Sequence, residues 1–307
     1  MVQQLTLVQL QLQLVLAATL LICLLQPGTG AANADAREVQ PQPPPAARAR
    51  ALVADMTVDE KIALTHGTGW GINNKGFVGR VAGIPRLGIP DLNQNDGPCG
   101  YHCGGLAGCP NPSTTAFPSA LNVAATWSVQ SALSWGTAMG KEFAAKGANV
   151  QLGPGLCLAR VPSGGRNFEY ISGEDPVLGA KLAQGAVQGI QSQGVIATVK
   201  HYVLNNQETN RNTVSVVCDE RTFMELYFPP FQGAIDAGVG AVMCSYNLVN
   251  GTHACGNNAT LNRFLKEIGG FDGFVMSDWR ATHSTGSILA GLDQEMPGLD
   301  SGPKAPS

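Results

Sequence analysis

Apolar positions along this chain recur in two rhythms. From Trp127 to Lys146, and again from Pro176 to about Gln193, the spacing predicts helices with one buried face. Asp175 before Pro176 is a helix start, a side-chain acceptor followed by a ring whose missing N–H costs nothing there. Thr57-Val58-Asp59-Glu60 reads as a capping box opening a short helix. Residues 219–236 read as helical around a Pro229-Pro230 interruption, and residues 261–268 as a further helix. Between these lie short β-branched or apolar runs, at 148–152, 195–199, 239–244 and 274–276, each the length of a buried strand.

Strands that alternate with helices predict a mainly parallel sheet covered by helices. A (β/α) barrel is the simplest form at this length, and a doubly wound open sheet is the rival. The polar residues favour the barrel. Lys200-His201, Ser245-Tyr246 and Asp278-Trp279 each fall just past the C-terminal end of a predicted strand, and Asp96 ends a Pro- and Gly-bounded stretch read as a further strand. A barrel brings those ends together on one face. No Gly-x-Gly-x-x-Gly loop marks a phosphate crevice of an open sheet.

The first residues change the picture of where the fold begins. Leu14 to Leu25 is an apolar run of about a dozen residues, short of the roughly 20 that span a bilayer. It exits into Gly28, Gly30, Ala31, Ala32 and Ala34, which predicts a signal peptide over 1–34 and a secreted, extracellular product, although no Lys or Arg precedes the run. Residues 35–50, rich in Pro and Ala, are expected to be an extended linker. A barrel domain is expected over 51–298, with an irregular tail over 299–307.

Charged residues are only 13% of the 307, the formal net charge is -3, and no basic stripe is present, which argues against nucleic acid. After signal cleavage no membrane association is expected. Eight cysteines lack a C-x-x-C framework, so no metal site is implied. Cys244 and Cys255 flank a short turn and are the best candidate bridge; a second is expected among Cys99, Cys103 and Cys109. Sequons at Asn250 and Asn258 agree with secretion and glycosylation.

Asp278, at a strand tip beside Trp279, has the chemistry of a glycosidase nucleophile: one carboxylate attacks the anomeric carbon while a second carboxyl about 5–5.5 Å away protonates the leaving oxygen. Taken alone, the tripeptide reads more readily as a loop Asp capping the next helix. Lys200 and His201 suit sugar hydroxyls, or else pair with Glu169, Glu208 or Asp219. The planar fork of Arg166 can hold two hydroxyls or brace a neighbouring carboxylate, and Asp96 can accept from two adjacent hydroxyls.

Together these motifs resemble the N-terminal barrel domain of glycoside hydrolase family 3, in its secreted β-glucosidase branch. The matching motifs are Asn95-Asp96-Gly97-Pro98, Gly164-Gly165-Arg166-Asn167-Phe168-Glu169, Lys200-His201-Tyr202, Met243-Cys244-Ser245-Tyr246-Asn247 and Ser277-Asp278-Trp279. The resemblance implies an α/β fold, a TIM-like (β/α) barrel, incomplete at its C-terminal end. It implies Asp278 as the nucleophile. Asp96, Arg166, Lys200 and His201 match residues that hold sugar hydroxyls, and Met243, Tyr246 and Trp279 match side chains that line the subsite. No cofactor is implied.

The expected activity is removal of terminal β-D-glucosyl residues from cellobiose-like or aryl β-glucosides, with cello-oligosaccharides as substrates, through a glucosyl-aspartate intermediate. The alternatives are a catalytically incomplete sugar-binding or vestigial product, and a related β-xylosidase. Where the family commonly has Gly-Ile-Arg, this chain reads Gly100-Tyr101-His102, so the usual sugar-binding Arg is absent or replaced by His102. The resemblance puts the general acid/base Glu on a second domain, and assigns it to none of Glu169, Glu208 or Glu295.

Overall fold

The structure is a computed structural model that describes residues 43–69, 74–102 and 113–298. The predicted signal peptide, the tail, and Cys103 and Cys109 lie outside the described residues. Chain order runs α1 (Pro45–Asp55), α2 (Val58–Ala63), β1 (Gly79–Val81), β2 (Leu92–Asp96), α3 (Ala120–Ala124), α4 (Val129–Ala145) and β3 (Val150–Leu152). It continues with α5 (Pro176–Gln191), β4 (Ile196–Tyr202), β5 (Ser215–Val216), α6 (Pro229–Asp236), β6 (Ala241–Cys244), β7 (Leu248–Val249), β8 (Thr252–His253) and β9 (Phe274–Ser277). Between β8 and β9, residues Ala259–Ile268 form a helix of the wider π type.

Within the stretch read as an extended linker, helix begins at Pro45. Proline is tolerated in the first helical turn, where its missing N–H has no partner to lose. The Ala- and Arg-rich run that follows favours helix, and it buries Ala49 and Val53. The capping predictions hold: Thr57 and Glu60 bond each other's backbone amides, and Asp175 accepts from the amides of Val177 and Leu178.

The main sheet has the order β1-β2-β3-β4-β6-β9. Every neighbouring pair from β2 to β9 is parallel, while β1 runs antiparallel to β2. Two extended segments then link its edges. Ser277 N donates to Gln294 O (2.8 Å), Glu295 N to Thr65 O (2.8 Å), and Thr68 N to Arg80 O (2.8 Å). The sheet therefore curls into a barrel, but an incomplete one. Among the described residues, only the single turn Thr285–Ile288 stands between β9 and the closing segment.

Strand parity decides what faces the axis. Leu92, Val150, Leu152, Ile196, Met243, Phe274 and Met276 share one apolar cluster inside the barrel, plugged by Ala49, Val53 and Met56 of α1 and the residue after it. On the outside, α4, α5 and α6 pack a second cluster against the sheet, including Phe143, Leu182, Ile190, Phe231 and Val242. The same inward parity, continued past Gln94, Thr198 and Met276, carries β2 to Asp96, β4 to Lys200 and β9 to Asp278. The pleat thus delivers three ionisable side chains to the barrel mouth.

Candidate active site

At that mouth lies a cavity of about 450 Å³, within the size range of small-molecule sites. Asp96, Arg166, Lys200, His201, Met243, Tyr246, Asp278 and Trp279 all line it, joined by His102, Glu208, Arg211, Asn74, Phe77, Val78 and Leu152. In a regular strand Lys200 and His201 would point opposite ways. The pairing of β4 with β6 shifts register between Val199 and Tyr202, and both side chains reach the cavity. They belong to the last residues of β4 rather than following its end, because the strand extends to Tyr202.

Asp278 is 7% exposed. Its Oδ1 accepts from Tyr246 Oη (2.8 Å) and from the Trp279 amide (2.7 Å), and Oδ2 lies 3.5 Å from His201 Nε2. Burial pushes its carboxyl above the usual range, against the pull of Lys200, the Tyr246 hydroxyl and the Trp279 amide. Its partners are side chains of the site and the amide next in the chain, so the reading of a loop Asp capping a following helix does not describe it.

The pairing of Lys200 differs from the alternative drawn from the sequence. Its Nζ sits 3.2 Å from Asp96 Oδ1, not on Glu169, Glu208 or Asp219. Burial works against ionisation of Asp96, but Lys200, His102 and Arg166 outweigh it and hold the carboxyl below its ordinary value. Asp96 keeps 41% of its side chain exposed, so its oxygens remain open to a ligand. Burial, with the charges of Arg166, Lys200 and Arg211, holds the His201 imidazole well below its usual value and therefore neutral.

Arg166 is braced by Glu169 and approaches Glu208 at 3.8 Å. Arg211 donates to Glu208 Oε2 (2.8 Å) and lies over the Tyr246 ring, 4.3 Å from its centre. Arg211 was not anticipated, and Glu208 had no assigned role; both sit in the irregular loop after β4, where no periodicity ties sequence position to direction. Three cations (Arg166, Lys200, Arg211) thus face three carboxylates (Asp96, Glu208, Asp278) among the described lining residues. A charge-balanced cavity dense in donors and acceptors suits a neutral polyol. Among the described residues no group of three or more His, Cys, Asp or Glu side chains could hold a metal ion. The predicted Cys244–Cys255 bridge is present with Cα atoms 5.2 Å apart, and Cys99 is a free thiol.

Residues 101–302 match the profile described as the glycosyl hydrolase family 3 N terminal domain. The chain is 48% identical over 269 residues to a probable beta-glucosidase A of Aspergillus terreus, covering 82% of this chain and 30% of that protein. It is 47% identical over 263 residues to beta-glucosidase 1 of Aspergillus aculeatus, covering 81% and 29% respectively. Among solved structures it is similar to beta-glucosidase 3B from Thermotoga neapolitana in complex with glucose, with a TM-score of 0.77 and 38% identity over 82% of this chain and 36% of that one. It is also similar to DesR, a beta-glucosidase from Streptomyces venezuelae in complex with D-glucose, with a TM-score of 0.74 and 42% identity over 80% and 30%. The chain spans about 30% of the length of the curated relatives it matches.

Proposed function

The chain belongs to glycosyl hydrolase family 3, and on that premise we propose that it acts as a retaining β-glucosidase on terminal non-reducing β-D-glucosyl residues of cellobiose-like or aryl β-glucosides. Asp278 attacks the anomeric carbon to form a glucosyl ester as the aglycone leaves, and water then cleaves that ester. Asp96, Arg166, Lys200 and His201 hold sugar hydroxyls, with Met243, Tyr246 and Trp279 as the apolar and aromatic walls. The observation that carries this reading is the cavity itself: Asp278 shares it with every one of these side chains. Oδ1 of Asp278 is held by two short donors and Oδ2 by one long contact, which leaves Oδ2 as the freer nucleophile.

One observation favours the second reading, a sugar-binding product that is catalytically incomplete. The other two carboxylates lining the cavity are tied to cations, Asp96 to Lys200 and Glu208 to Arg211. Neither is placed to carry a proton to a leaving oxygen, a contribution worth roughly 10²–10⁴-fold. The buried Cys244–Cys255 bridge supports an oxidising compartment, and with it the proposal that the protein is secreted and carries sugar at one of its exposed sequons.

A 2-deoxy-2-fluoro-β-glucoside with a very good leaving group needs little acid assistance, and so separates nucleophile from acid. After digestion and mass spectrometry, an adduct on Asp278 that is absent from Asp278→Asn is the expected result. An adduct on another residue overturns the assignment. No adduct on a folded chain favours the binding reading, and faster labelling by the matching xyloside favours a xylosidase.

A further inference from the structure

Behind the cavity a second shell of buried polar groups is not explained by sugar binding. Tyr170 is 2% exposed, and its hydroxyl lies 3.2 Å from His201 Nδ1. Its ring meets the imidazole edge-on, with centres 6.1 Å apart. The fold makes room for this phenol at one point. A Cβ built on Gly155 would come within 2.6 Å of the Tyr170 ring, and Ile171 N bonds Gly155 O across the same contact.

These positions determine which imidazole nitrogen carries hydrogen. His201 is 1% exposed and neutral, so it holds a single N–H. Burial keeps Tyr170 a phenol, a group that can donate or accept. If Nδ1 carried the hydrogen, the lone pair of Nε2 would face Asp278 Oδ2 at 3.5 Å, lone pair against carboxylate in a buried place. If Tyr170 donates to Nδ1, the hydrogen sits on Nε2 and points at that oxygen. The nearby Cys157 thiol donates to His201 O at 3.4 Å, and its sulfur also meets the Tyr170 hydroxyl, but a thiol sulfur is a weak acceptor beside the imidazole nitrogen.

We infer that Tyr170 is a positioning residue for this site: by donating to Nδ1 it fixes His201 as the Nε2–H tautomer, which presents a neutral donor to the second oxygen of Asp278. Oδ1 is then held by its two short donors, while Oδ2 faces a neutral N–H at 3.5 Å and stays the freer oxygen. The kinetic weight of this arrangement rests on the reading of Asp278 as nucleophile; the tautomer does not.

The test uses the full chain with ¹⁵N-labelled histidine. Two-bond ¹H–¹⁵N correlation spectra distinguish Nε2–H, Nδ1–H and charged imidazole. In the wild type His201 is expected as neutral Nε2–H at neutral pH, with its resonance assigned by loss in His201→Gln. In Tyr170→Phe, which removes one oxygen, the spectrum is expected to shift toward a mixture of tautomers. Labelling of Asp278 by the fluoro-glucoside should slow several-fold, up to about tenfold. A wild-type His201 that is Nδ1–H or charged overturns the inference whether or not the variant folds, and so does an unchanged tautomer in folded Tyr170→Phe. Because the spectra need no turnover, a chain that never labels refutes the proposed activity while leaving this result standing.

Discussion

At the scale of the residue, the central feature is a carboxylate whose environment pulls in two directions. Burial raises Asp278, while the Tyr246 hydroxyl and the Trp279 amide resist that rise. Tyr246→Phe removes a donor to the charged form, so the carboxyl should titrate higher still, and the acidic limb of kcat/KM should move to higher pH. Trapping at neutral pH should fall on the order of 10–100-fold, the worth of a hydrogen bond to a charged group. The same imbalance has a stability side. A carboxyl raised in the fold contributes fully below its unfolded pKa, and that contribution is lost as pH rises through the folded value. Asp278→Asn should therefore raise Tm at neutral pH by about 2–4 °C for each kcal/mol released, and the gain should shrink at acid pH; thermal melts at both pH values check this. That Asp96, Lys200 and Asp278 gather at one cavity was legible because strand parity and strand ends are written in the sequence. Arg211 and Tyr170 were not, because each belongs to an irregular segment whose direction only tertiary contacts fix. The partner of Lys200 was equally hidden, since Asp96 lies 104 positions away.

At the scale of the element, α4, α5 and α6 approach each other through glycines that helix rhythm alone would count as weak points. A Cβ on Gly136 would strike Ala186 O, one on Gly189 would strike Leu133 O, and one on Gly233 would strike Ala180 O. Each obstacle is backbone, which cannot turn aside. Gly189→Ala gains about 1 kcal/mol in helix propensity, yet it forces the two helices apart at an overpacking cost of roughly 1–3 kcal/mol. The expected net effect is a lower denaturation midpoint with an unchanged m-value, read by urea titration. The periodicity found the helices and Asp175 found a start, but how closely the helices sit was invisible, because closeness depends on pairs of residues about 50 positions apart. The linker expectation failed for a related reason. The Pro-rich composition is equally compatible with a helix start, and only the buried contacts of Ala49 and Val53 decide for helix.

At the scale of the whole molecule, the barrel depends on the two extended segments that join its edges, and the one after β9 is anchored by a buried carboxylate. Asp293 is 3% exposed. It bonds Lys266 Nζ through both oxygens (2.8 and 2.9 Å) and takes the Val275 amide at 2.7 Å. One carboxylate thus ties the closing segment to β9 and to the π-type helix before it. Burial raises Asp293 even with Lys266 beside it, so removing the lysine should raise it further. Lys266→Met leaves the carboxylate buried and unpaired, which should cost about 3–5 kcal/mol at neutral pH. The deficit should fade toward the unfolded carboxyl value of about 3.9, where the proton is bound in both states and no charge is buried. A deficit equal at pH 4 and pH 7 would mean that the lysine acts through its packing alone. Since Ser277 N bonds Gln294 O in the same segment, loosening the closure displaces the residue next to Asp278. Fluoro-glucoside trapping in Lys266→Met should accordingly slow at neutral pH, although the substitution lies outside the cavity.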